Sequence, residues 1–153
     1  MRVFIILFFA LCSLYVVNAQ YSMSNQIVSD CEGTLTDSEL NILEPGWYSH
    51  DENFNFTICP SNALSIIINF TSFLTEPIND YVIIYDGPDN TYPILAGPFS
   101  GTSLPPQIVS SGCVTIQFVS DLNVAEEGFE LSWETIISTP QSPTISLLNQ
   151  PPI

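Results

Sequence analysis

Basic residues are nearly absent from this chain. Its 153 residues include one Lys or Arg, which is Arg2, and one histidine, His50, against sixteen Asp and Glu; the formal net charge is −15. Ordinary ion pairs to Lys or Arg therefore play almost no part in the fold. Nucleic acids, heparin-like polymers and anionic lipid surfaces need a basic patch, so all three are disfavoured as partners. Metal ions and proteins bearing exposed Lys and Arg are favoured. For most of the sixteen carboxylates, keeping the chain soluble is sufficient explanation.

Catalytic signatures are missing too. There is no HExxH, no Ser-His-Asp set and no glycine loop to cradle a phosphate. No CxxC or Cys/His spacing suggests zinc, and His50 sits in the polar stretch "YSHDENF", where a solvated histidine is the ordinary expectation. A non-catalytic chain is expected. Helical periodicity is also lacking over any long stretch.

One long apolar run exists, "VFIILFFALCSLYVV", preceded by Arg2 and followed by "VNA". That is the pattern of a secretory signal peptide over residues 1–19, with cleavage after Ala19. An uncleaved membrane anchor is the rival reading. No later stretch is apolar and long enough to span a bilayer. Cleavage removes Arg2 and Cys12 and leaves Cys31, Cys59 and Cys113. In an oxidising compartment two of the three pair and one is left over.

Residues 20–30 read as a loose N-terminal lead and residues 138–153, "STPQSPTISLLNQPPI", as a flexible tail. Between them the chain is strand-rich. "FNFTIC" (54–59) alternates. "LSIIINFTSF" (64–73) sets Ile66, Ile68 and Phe70 on one face. "DYVIIYD" (80–86) ends at Asp86-Gly87-Pro88, and Asp86 is assigned to that turn. "YPILAGPF" (92–99) is a short strand. "CVTIQFVS" (113–120) sets Val114, Ile116 and Phe118 against Thr115 and Gln117, and "FELSWETI" (129–136) turns Phe129, Leu131 and Trp133 inward. Short strands separated by turn residues predict an all-β sandwich. Trp47, Tyr48 and Phe54 are expected to pack. Two sequons, Asn55-Phe56-Thr57 and Asn69-Phe70-Thr71, are candidate N-glycan acceptors on polar strand faces.

Four segments in order resemble the CUB domain family: Cys31 to Cys59, "DYVIIYDG" (80–87), "FSGTSLPP" (99–106), and "CVTIQFVSD" (113–121) followed by "EGFELSW" (127–133). The resemblance covers about residues 31–135. It implies a jelly-roll-like sandwich of two antiparallel sheets and an extracellular binding module over residues 31–137. It also implies a Cys31–Cys59 disulfide. The better-known members carry a second disulfide, whose later position is held here by Ser100. A variant pattern pairs a cysteine at Cys113 with one near Thr135, which is absent, so Cys113 is expected to be free and able to link two chains.

The resemblance further implies a calcium site. Its signature acids match Glu76, Asp80 and Asp121, and Asn123 is placed to add an oxygen. Ca²⁺ is a hard ion that takes oxygen ligands at about 2.3–2.6 Å. In a chain without basic side chains, a bound cation is a natural balance for converging carboxylates. The expected partner is an extracellular protein or glycan, with basic protein surfaces favoured and exposed loop aromatics as contacts. A metal-independent matrix scaffold, linked through Cys113, is the alternative.

Overall fold

The computed structural model describes residues 19–37 and 46–138, which form ten strands and no helix. The expected signal peptide, apart from Ala19, and the expected tail, apart from Ser138, lie outside the described residues. The strands are β1 (Ala19–Ser22), β2 (Gln26–Val28), β3 (Glu32–Thr36), β4 (Asn53–Ile58), β5 (Ala63–Leu74), β6 (Tyr81–Tyr85), β7 (Ile94–Phe99), β8 (Ile108–Ser110), β9 (Val114–Val119) and β10 (Gly128–Ile137). They build two five-stranded sheets, in the orders β1-β3-β10-β5-β8 and β2-β4-β9-β6-β7. Every pairing is antiparallel except β1 with β3 and β2 with β4.

The alternating stretches carry the core, because successive side chains of a strand face opposite ways. Ile66, Ile68 and Phe70 from β5 meet Leu131 and Trp133 from β10 inside the first sheet. Val114, Ile116 and Phe118 from β9 face them from the second, with Phe56 and Ile58 from β4. Gly33 has no side chain because the Trp133 ring lies where a Cβ would stand.

Two expectations need correction. Residues 20–30 are not a loose lead: Met23 is buried, its N–H bonds the Thr36 carbonyl at 2.9 Å, and the flanking β1 and β2 add a parallel edge strand to each sheet. The less apolar face of β9, with Thr115 and Gln117, is covered as well. Both are buried, with the Gln117 amide oxygen accepting from Tyr85 Oη at 2.8 Å and Thr115 Oγ1 donating to the Gly87 carbonyl at 2.8 Å. β9 is the middle strand of its sheet and is covered on both sides.

The second correction concerns the cysteines. Cys59 does not pair with Cys31; it is bonded to Cys113, with Cα atoms 4.3 Å apart. The cause is register. β4 and β9 are antiparallel with Ile58 opposite Val114, so Cys59 and Cys113 are the next pair along the same ladder. Cys113 is thus no free thiol and offers no link to a second chain, and Cys31 is disulfide-bonded as well.

Strand direction places one end of the sandwich. β5 ends there, β6 and β10 start there opposite their neighbours (Tyr81 with Val119, Gly128 with Leu74), and β4 begins there opposite the end of β9. The loops gathered at that end are residues 46–52, 75–80, 100–101 and 120–127.

Candidate metal centre at the acidic end

Asp80 is the centre of this end. It is wholly buried at the mouth of β6. Its Oδ2 accepts a hydrogen bond from Tyr48 Oη at 2.6 Å, and its Oδ1 accepts from the Asp121 backbone N–H at 2.7 Å. One side chain therefore joins three loops. The Tyr48 hydroxyl also accepts from the Glu76 N–H at 3.0 Å, which fixes the start of the acidic turn. Thr75 closes the turn from beneath: its hydroxyl donates to the Asp80 carbonyl at 3.1 Å and accepts from Gly101 N–H at 3.0 Å.

The predicted acids converge. One carboxylate oxygen each from Glu76, Asp80 and Asp121 lie within 4.8 Å of one another. Oxygens on opposite sides of a Ca²⁺ ion are about 5 Å apart, so this spacing suits a single ion. The donor set is wholly hard oxygen. Glu76 Oε2 is buried and has no hydrogen-bond partner among the described residues, while Asn79 Nδ2 donates to Oε1 at 3.0 Å. An orphaned carboxylate oxygen is costly in a protein interior. Glu76, Asp80 and Asp121 thus fit a hard divalent cation on geometry and on chemistry. Asn123 also bonds Asp121: its N–H and its side-chain amide nitrogen donate to the two oxygens of Asp121 at 2.7 and 3.1 Å, and so aim that carboxylate.

Tyr48 is the residue that sequence reasoning assigned to packing alone. It does pack, edge-on to Phe118 with ring centroids 5.0 Å apart. Its hydroxyl is also the only non-acid side-chain group in contact with both Asp80 and the Glu76 backbone among the bonds described above. Burial raises its pKa far above the usual tyrosine value, and the bond to Asp80 adds to the shift. The folded state thus holds this proton where the unfolded chain releases it. The stabilisation is complete below about pH 10 and declines as pH rises further. Tyr48→Phe is expected to lower stability by about 1–2 kcal/mol at neutral pH. It should also flatten the fall in stability above pH 10, as followed by urea unfolding at a series of alkaline pH values.

The turn 75–80 is braced from the side by Ser100, whose hydroxyl accepts from the Ile78 N–H at 3.1 Å. This is the place where the resemblance puts a second disulfide in other members, and here a hydrogen bond joins the two segments. Exposed apolar side chains in these loops are aliphatic, not aromatic: Ile78 and Leu122 stand out, 85% and 72% exposed, with Val124 beside them. Trp47 is half-buried, and it and Phe54 rest on the core.

The remaining candidates lie elsewhere. Asp86 sits in its predicted turn, with its carboxylate accepting from both the N–H and the hydroxyl of Ser111 at 2.9 Å. Asn69 lies on the outer face of β5, where its amide oxygen accepts from Gln107, and Thr71 of the same sequon is exposed. The other sequon is more enclosed: Asn55 is half-buried and Thr57 is buried against Thr115. His50 is exposed.

Known proteins resemble this chain in sequence and fold. The profile of the CUB domain matches residues 31–133. Cubilin of the dog is 38% identical over 120 residues, which are 69% of this chain and 3% of cubilin. Mouse neuropilin-2 is 30% identical over 125 residues, 72% of this chain and 13% of that protein. The chain thus spans only a small fraction of these relatives. Among solved structures, the MASP-1 CUB2 domain bound to Ca²⁺ is 25% identical with a TM-score of 0.59, covering 72% of this chain and 98% of that one. The extracellular region of zebrafish Gpr126 has the same fold, with a TM-score of 0.61 at 23% identity over 76% of this chain and 15% of that one. The chain belongs to the CUB domain family.

Proposed function

We propose that this chain is an extracellular, non-catalytic CUB module that holds Ca²⁺ at Glu76, Asp80 and Asp121 and uses that acidic end to engage basic groups of a protein partner. One observation carries the reading: three carboxylates from two turns, that of buried Asp80 among them, bring oxygens within 4.8 Å of one another, and one of their oxygens has no hydrogen-bond partner among the described residues. Ca²⁺ supplies charge balance at this point and fixes the mutual position of the turns. Tyr48 and Asn123 orient the acids, Asp80 ties the turns together, and the rim carboxylate oxygens remain able to accept from a Lys or Arg. The disulfide-bonded cysteines suit an oxidising, extracellular setting. The charge of −15 draws a basic partner toward the site and repels nucleic acid and anionic lipid.

A metal-independent scaffold is the second reading. It is favoured by the hydrogen bonds that Asp80 and Asp121 already make, which would hold the loops without an ion. Linkage through Cys113 no longer belongs to it. Calorimetric titration of the metal-stripped protein with Ca²⁺ separates the two. The expected result is saturable one-to-one heat that disappears in Asp121→Ala, with about 2.7 kcal/mol of added stability at a hundredfold excess over Kd. Absence of heat in the wild type would leave the scaffold.

A further inference from the structure

Ile78 is an anomaly in two independent ways. Its backbone has φ of +78°, a left-handed conformation in which a β-branched residue is strained. Its side chain is 85% exposed, so no buried surface offsets that strain. Glycine or asparagine would suit the position better. Strain of this kind persists where surrounding structure enforces it, and it concentrates at binding sites; here the Ser100 hydroxyl holds the Ile78 N–H. The second turn has a counterpart. Leu122, 72% exposed, directly follows Asp121, whose N–H is bonded to Asp80. Each of the two turns that meet at the acidic centre therefore carries a bare aliphatic side chain within two residues of its acids.

We infer that Ile78 and Leu122 are specificity-determining contacts, and that this end of the sandwich takes a protein segment in which a Lys or Arg is flanked by apolar side chains. The inference rests on the proposed engagement of basic groups by the acidic centre and adds to it what surrounds the charge. A second copy of this chain is a poor occupant, because its only Lys or Arg is Arg2. An anionic membrane is disfavoured by the net charge of −15. A basic, apolar-flanked peptide segment matches both the charge and the two aliphatic groups.

The test uses the protein in saturating Ca²⁺ and three synthetic Gly/Ser peptides. One carries a Lys between two leucines, one a Lys between two glycines, and one a Gln between two leucines. The leucine-flanked Lys peptide is expected to bind about tenfold more tightly than the glycine-flanked one, as burial of a few methylenes provides. Ile78→Asn combined with Leu122→Ser should erase that advantage, retain the Ca²⁺ heat, and raise Tm by a few degrees as the strain at position 78 is relieved. Equal binding of the two Lys peptides to the wild type, or an advantage that survives the double substitution, would overturn the inference. So would Ca²⁺-dependent binding to phosphatidylserine vesicles that the double substitution abolishes, since the aliphatic pair would then serve a lipid surface. Failure of the underlying reading looks different: the Gln peptide would then bind as well as its Lys counterpart, with the preference for leucine flanks intact.

Discussion

Asp80→Ala is expected to lower the stability of the metal-free protein by about 3–5 kcal/mol and to abolish the Ca²⁺ heat. Both oxygens of the buried carboxylate accept charged-group hydrogen bonds, from Tyr48 Oη and the Asp121 N–H, and each such bond contributes about 1.5–3 kcal/mol. Alanine removes the acceptors and leaves two donors without partners in a closed interior. Relief of repulsion from Glu76 and Asp121 offsets part of the loss. Asp121→Ala makes the contrast. Its carboxylate is less buried and, among the described residues, bonds only to Asn123, so the metal heat should vanish while stability falls by no more than about 1 kcal/mol. Urea unfolding with and without Ca²⁺ measures both. An Asp80→Ala protein as stable as the wild type would show that the three loops are joined by something other than this side chain.

Removal of the Cys59–Cys113 bond is the other large effect. The cysteines are 54 residues apart in sequence, and the chain-entropy model assigns a loop of that length about 4 kcal/mol of stabilisation. Cys59→Ala with Cys113→Ala is expected to lose about that amount, because the register of β4 and β9 that the bond reinforces survives in their ladder. The double variant should also keep its Ca²⁺ affinity, since the bond lies at the end of β4 and the start of β9, away from the acids. Peptide mapping under non-reducing conditions should recover residues 59 and 113 in one linked fragment; a Cys31–Cys59 fragment would contradict the register.

Where a strand buries one face and is long enough to show its period, its inward residues are readable from sequence, as with Ile66, Ile68 and Phe70 in β5. β1 and β2, of four and three residues, are too short to display a period and are held by their parallel neighbours and by Met23 beneath them. Alternation marks Thr115 and Gln117 as the less apolar face of β9 but reports polarity and not cover; the cover comes from Tyr85 and the Gly87 turn, brought in by tertiary folding. The cysteine pairing depends on which strands are neighbours, which spacing along the chain does not encode. The three acids stood out because they belong to a motif. Tyr48 did not, because its partner Asp80 lies 32 residues on and its ring has a sufficient packing role.

β10 starts beside the acidic turns at Gly128 and runs ten residues away from them to Ile137, a span of about 30 Å. The described chain therefore leaves the sandwich at the pole opposite the acids. A surface, a label or a neighbouring domain joined at that exit stands clear of Glu76, Asp80 and Asp121, and the acidic pole faces outward. Attachment at the Ile137 end of β10 is thus the orientation in which an immobilised chain presents the acidic end to a partner in solution.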